Sequence, residues 1–205
     1  MLKKVKCPHC GTFDVAEYLY GMPAYTKKLE QDVKNKKIII GGCLINECAP
    51  KYYCNHCRKE FGFEPTLYSK NGTEEDYRDI VDSIYFKCGA CYGPSGEDEE
   101  RVFIKKQKNK EIIVEAYTEE EHEAFTYSIT EGMWGELLDA LYCQLFLAEW
   151  RKHTFVDHEI QDGSEWELRI TLTNMRKRMY SGLNAYPPLW QELENIFKPF
   201  LHRKN

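Results

Sequence analysis

Three observations predict an α+β fold in two parts. Cysteines recur as two Cys-x-x-Cys pairs, Cys7-Pro8-His9-Cys10 and Cys54-Asn55-His56-Cys57, each in a turn between short β-prone runs. Further on, apolar residues alternate at Val102 and Ile104, and again at Trp166, Leu168, Ile170 and Leu172, the two-residue period of a half-buried strand. Two other stretches carry apolar residues at helical spacing: Trp134, Leu137, Leu138, Leu141, Tyr142 and Leu145, then Leu189, Leu193, Ile196 and Phe197. The expected architecture is a small β element at the N-terminus, followed by a mainly antiparallel sheet covered by two helices.

The two cysteine pairs define the first part, residues 1–66. Cys7, Cys10, Cys54 and Cys57 supply four thiolates, the complement of one tetrahedral zinc with no position left for water. Short strands are predicted over 12–20, 37–45, 51–54 and 59–63, broken by Gly21-Met22-Pro23 and Gly41-Gly42. So small an element cannot bury enough apolar surface to fold alone, and zinc binding supplies folding free energy instead. This is a zinc ribbon whose lysine-rich centre, 26–37, is expected to be a solvated hairpin tip or arm. His9 and His56 sit inside the knuckles and are read as hydrogen-bonding knuckle residues rather than ligands.

Residues 67–78 read as a connector, with a turn at Ser69-Lys70-Asn71-Gly72 and a helix-capping run at Thr73-Glu74-Glu75-Asp76. Residues 79–205 form the second part. Ile80, Ile84 and Phe86 share one parity and suggest a strand. A hairpin over 101–106 and 111–117 turns at Lys108-Asn109-Lys110, and 123–129 adds a third strand. One long helix is expected over 131–150. The strand over 165–173 meets a partner ending near Met179-Tyr180, and Pro187 or Pro188 opens the last helix.

At 42% hydrophobic and 30% charged residues, with 14 Tyr, 10 Phe and 4 Trp, the chain has the makings of a folded core and is not a disordered segment. Neither a signal peptide nor an apolar run long enough to span a membrane is visible, so a cytoplasmic protein is expected. That compartment and the paired spacing argue against a disulfide framework for the nine cysteines. The net charge of -5 divides unevenly: residues 1–70 carry 12 Lys/Arg against 7 Asp/Glu, and the remainder carries 16 against 26. Four thiolates and one Zn²⁺ add about -2, leaving the first part only mildly basic.

Other clusters carry weaker chemistry. Cys43, Cys48, Cys88 and Cys91 would make a second zinc site or a thiol-based redox or metal sensor. Their loose spacing over both parts, with no βαβ pattern around Cys88-Gly89-Ala90-Cys91, argues against both. His153, Asp157 and His158 are the best enzyme candidates, but a five-residue separation of the two histidines puts them on opposite faces of a strand. Gly93-Pro94-Ser95-Gly96 lacks the Lys-Ser/Thr ending of a phosphate loop. Trp166, Asn184, Tyr186, Pro187 and Trp190 read as structure rather than a ligand box, the acidic runs 97–100 and 119–123 as loop surface, and Cys143 as helix core.

The run Cys7-Pro8-His9-Cys10-Gly11, Tyr20-Gly21, Gly41-Gly42-Cys43 and Pro50 to Cys57 resembles zinc ribbons of uncharacterised bacterial proteins. Trp166-Glu167-Leu168 and Ser181-Gly182-Leu183-Asn184-Ala185-Tyr186-Pro187 resemble bacterial domains of unknown function. The resemblance implies a bacterial zinc-ribbon protein and carries no activity. The expected function is a non-enzymatic interaction module with a structural zinc. Its expected partner is nucleic acid, through Lys27, Lys28 and 34–37, or another protein.

Overall fold

The computed structural model describes residues 5–42, 49–68, 74–90, 99–118, 123–157, 159 and 163–201. The fold is α+β, with one large mixed sheet, a four-stranded sheet, a two-stranded sheet and four α-helices among the described residues.

The four-stranded sheet holds the cysteine pairs. It runs in the order β2-β1-β3-β4, with β1 at Val15–Leu19, β2 at Ile38–Ile40, β3 at Tyr52–Cys54 and β4 at Glu60–Phe61. β1 pairs antiparallel with β3 but parallel with β2. A parallel pair needs a crossover, and helix α1 (Lys27–Lys34) provides it. The solvated hairpin tip expected over 26–37 is therefore corrected to a capped helix. The Thr26 hydroxyl accepts from the Leu29 N–H at 3.1 Å, and Leu29 is buried with half-buried Val33 one turn on. The lysines are that helix's solvated face.

The large sheet runs β10-β9-β8-β7-β12-β13-β11. β7 (Val81–Ala90), β8 (Glu99–Lys106), β9 (Ile112–Tyr117) and β10 (Phe125–Ile129) form an antiparallel meander. β12 (Ser164–Leu172) then lies beside β7, and β13 (Lys177–Leu183) beside β12. The expected partner strand ran only to Tyr180, but pairing continues to Leu183. Parallel β11 (Thr154–Val156) closes the edge. Alternation sorts the two faces. Ile170, Ile84, Ile104 and Val114 are cross-strand neighbours in one buried row, and Leu168, Phe86, Val102 and Ala116 form the next. The opposite face carries Arg169 over the Tyr85 ring and Arg101 over Tyr117.

Helix α3 (Glu131–Asp139) contributes Trp134, Leu137 and Leu138 to that core, and α4 (Trp190–Leu201) contributes Leu193, Phe197 and Phe200. The Phe197 and Phe86 rings stack at 4.4 Å. β5 (Thr66–Tyr68) and β6 (Glu74–Asp76) make a small hairpin, after which Asp76 caps the short helix α2 (Tyr77–Ile80). Ile80, expected in a strand, therefore ends a helix. At Gly182 an added Cβ would collide with the Trp166 indole, whose N–H donates to the Ala185 carbonyl.

The single helix expected over 131–150 is also corrected. α3 stops at Asp139 and passes into a π-helical turn over Ala140–Gln144, closed by the Leu145 N–H on the Ala140 carbonyl. Phe146 then turns left-handed at φ 53°, and a 3₁₀ turn covers Leu147–Glu149. The reason is divided burial. Leu141, Tyr142, Leu145, Leu147 and Trp150 pack in the main core, whereas Phe146 is buried with Cys7, Cys54 and Phe61. A straight α-helix cannot point side chains at both.

Candidate metal centre

Each cysteine pair forms the same backbone turn. Cys7 donates its N–H to the Thr12 carbonyl, and its carbonyl accepts from Gly11; Cys54 repeats this with Lys59 and Arg58. The residue four places after the first cysteine is left-handed both times, Gly11 at φ 73° and Arg58 at φ 58°. The turns bring all four sulfurs within 4.8 Å of one another. Cys7 Sγ lies 3.7 Å from Cys57 Sγ, and Cys10 Sγ lies 3.6 Å from Cys54 Sγ. Tetrahedral zinc with Zn–S of about 2.3 Å separates its sulfurs by about 3.8 Å, so the donor set fits that ion in spacing and chemistry. All four are free cysteines rather than disulfides.

Cys7 and Cys54 are fully buried, Cys57 is half-buried and Cys10 is exposed. Burial pushes the Cys7 thiol up despite hydrogen bonds from the His9 and Cys10 backbone, and burial dominates at Cys57 too. At Cys54 burial acts in the same direction but is outweighed by hydrogen bonds from the Cys57 N–H and the neighbouring thiols, so its pKa falls. His9 and His56 stand outside the four-sulfur group. Burial, then the charges of Lys59 and Arg151, holds His9 below the usual histidine range.

The centre is seated against the segment that follows α3 and against α4. The Phe146 ring meets Phe61 edge-on at 5.2 Å and Tyr52 at 6.0 Å. Three residues on, Glu149 Oε1 accepts the N–H groups of Gly62 at 2.8 Å and Phe63 at 3.2 Å. Lys6 pairs with Glu192 of α4. No motif in the sequence marked Phe146 or Glu149. The one available signal was a Phe standing off the helical stripe of its neighbours.

Other predicted groups fare differently. His153 stacks on Tyr180 at 4.7 Å, and its Nδ1 lies 3.3 Å from the Met179 carbonyl, while Asp157 caps the Glu159 N–H. The two are thus engaged separately, and His158 lies outside the described residues. Cys88 is half-buried in β7, its thiol pushed up to about 12 by burial and then by Glu100. Cys43, Cys48 and Cys91 also lie outside the described residues, as does the 93–96 loop. Cys143, expected in the core, is exposed, with its sulfur 3.2 Å from the Tyr77 hydroxyl. Trp166 is buried in the main core, against Trp190.

Beside the second knuckle lies an open cavity of about 540 Å³, lined by Val33, Lys36, Ile39, Tyr53, Asn55 and Arg58 among others. No helix among the described residues is long and apolar enough to cross a membrane. Comparison of the chain with protein-family models and with curated proteins finds no match.

Proposed function

We propose that this chain is a zinc-organised interaction module of the bacterial cytoplasm. Cys7, Cys10, Cys54 and Cys57 hold one structural zinc. Residues 1–66 form the zinc ribbon, 67–78 connect, and 79–205 form the α+β domain whose sheet is covered by α3 and α4. The carrying observation is the closed four-sulfur cluster, whose S···S spacing matches tetrahedral thiolate coordination. A complete thiolate shell leaves no place for substrate water, so the ion holds two knuckles together rather than doing chemistry.

The partner is a protein or a nucleic acid. α1 presents Lys27, Lys28 and Lys34 on its solvated face, but Glu30 and Asp32 interrupt them, which weakens the nucleic-acid reading.

The test is elemental analysis of untagged protein. One zinc per chain, lost in Cys7→Ser or Cys54→Ser, is expected. Protein that folds fully without zinc, or that binds zinc equally well in both variants, overturns the proposal.

A further inference from the structure

We infer that the groove beside the second knuckle docks an extended acidic peptide, which adds a strand to the free edge of β2. This inference rests on the interaction-module reading and names its partner.

The edge comes first. β2 is the terminal strand of its sheet, and no described strand pairs with its outer side. Glu17 donates its N–H to the Lys37 carbonyl, and the Leu19 carbonyl accepts from Gly41. With Tyr18 opposite Ile39, the odd-numbered residues of β2 bond inward to β1. The N–H and C=O groups of Ile38 and Ile40 therefore face outward, as a template for an added strand. Ile40 is 40% exposed, unusual for so apolar an edge.

The charge of the groove that runs from β2 toward the second knuckle selects the partner. Among the described residues the groove is lined by apolar Val33, Ile38, Ile39, Ile40 and Tyr53, by Asn55 and by two cations, Lys36 and Arg58, with no carboxylate. Among the described residues neither cation has an ion-pair partner. Both stand at left-handed backbone positions, φ 56° and φ 58°, where glycine is the choice for stability. The first knuckle does use glycine there. Strained positions filled by long cations that both line one groove point to recognition. The metal centre presets this surface. Asn55, between ligands Cys54 and Cys57, donates from Nδ2 to the Lys36 carbonyl at 3.1 Å and to Asp14 at 2.9 Å, tying the knuckle to the start of β2.

The experiment is fluorescence anisotropy of zinc-loaded protein with a labelled peptide of alternating Glu and Val, and with its Lys-Val counterpart. The Glu-Val peptide is expected to bind and the Lys-Val peptide not. Lys36→Glu with Arg58→Glu should weaken binding by about tenfold or more. Ile40→Pro removes the outward donor and leaves the bonds to β1, and should abolish binding; zinc content and amide spectra report that both variants fold. Undiminished binding in both variants overturns the inference, as does absence of Glu-Val binding to zinc-loaded protein, and neither result touches the zinc reading. A single-stranded oligonucleotide that displaces the peptide and loses affinity in the same variants makes this face a nucleic-acid surface and overturns the peptide assignment. Absence of zinc from the purified protein defeats the parent reading instead.

Discussion

Arg58 and Gly11 occupy equivalent places in two equivalent turns, so they form a built-in comparison. The left-handed backbone costs Arg58 a Cβ clash that Gly11 avoids. Arg58→Gly should therefore stabilise the protein by about 0.5–1 kcal/mol in denaturant unfolding, even as it removes a cation from the groove. Gly11→Ala should destabilise, because the new Cβ meets the Pro188 carbonyl oxygen at 3.2 Å on top of the strained φ. Equal effects of the two changes would mean that backbone conformation does not decide these positions.

Glu149 is the second residue with a measurable signature. Burial raises its pKa above the ordinary 4.5, and the hydrogen bonds from Gly62 and Phe63 offset this only in part. The folded state then holds the proton to higher pH than the unfolded chain does. Its contribution to stability is full below the unfolded value and is lost as pH rises through the folded value. Glu149→Gln keeps an oxygen for both N–H groups and should flatten the fall in stability just above pH 4.5. Glu149→Ala leaves two amides without their acceptor and should cost about 1–3 kcal/mol. A pH–stability profile unchanged in the Gln variant would remove Glu149 as its source.

At the scale of elements, the π-helical turn after α3 decides how the cysteine-bearing sheet meets the main core. It lets one continuous segment feed Leu145 and Leu147 to one core and Phe146 to the other. Phe146→Ala should cost about 3 kcal/mol or more. It should also raise proteolytic cleavage within 5–64 while the far-UV signal of the large sheet persists; unchanged cleavage would mean that the ring does not hold the ribbon. Periodicity made the strands of the meander legible, because each has one wet face and one buried face. It failed over 131–150 for the opposite reason: the stripe is helical throughout, yet the apolar residues serve two cores. It failed over 26–37 because the lysines outweighed the two apolar residues that seat α1.

For the whole molecule, the four-sulfur cluster was legible because coordination demands residue type and spacing that chance seldom supplies. Its seat was not, since Phe146 and Glu149 are remote in sequence and ordinary in kind. Chelation of the zinc-loaded protein should give a two-step loss: the four-stranded sheet unfolds with the metal, and the large sheet follows at higher denaturant. Coincident loss of both signals would mean that the two sheets fold as a single cooperative unit.

The Phe146 ring has a consequence for portability. Ribbons cut from a chain and grafted elsewhere are useful only if their surfaces close on their own. Here the wall formed by Phe61 and Tyr52 is completed by a ring from residue 146. A transplanted N-terminal segment would carry its four cysteines and still present an open aromatic slot to water. It would self-associate or capture a stray hydrophobe, so gene fusion or recombination that parts residues 5–64 from Phe146 yields a sticky half rather than a spare part.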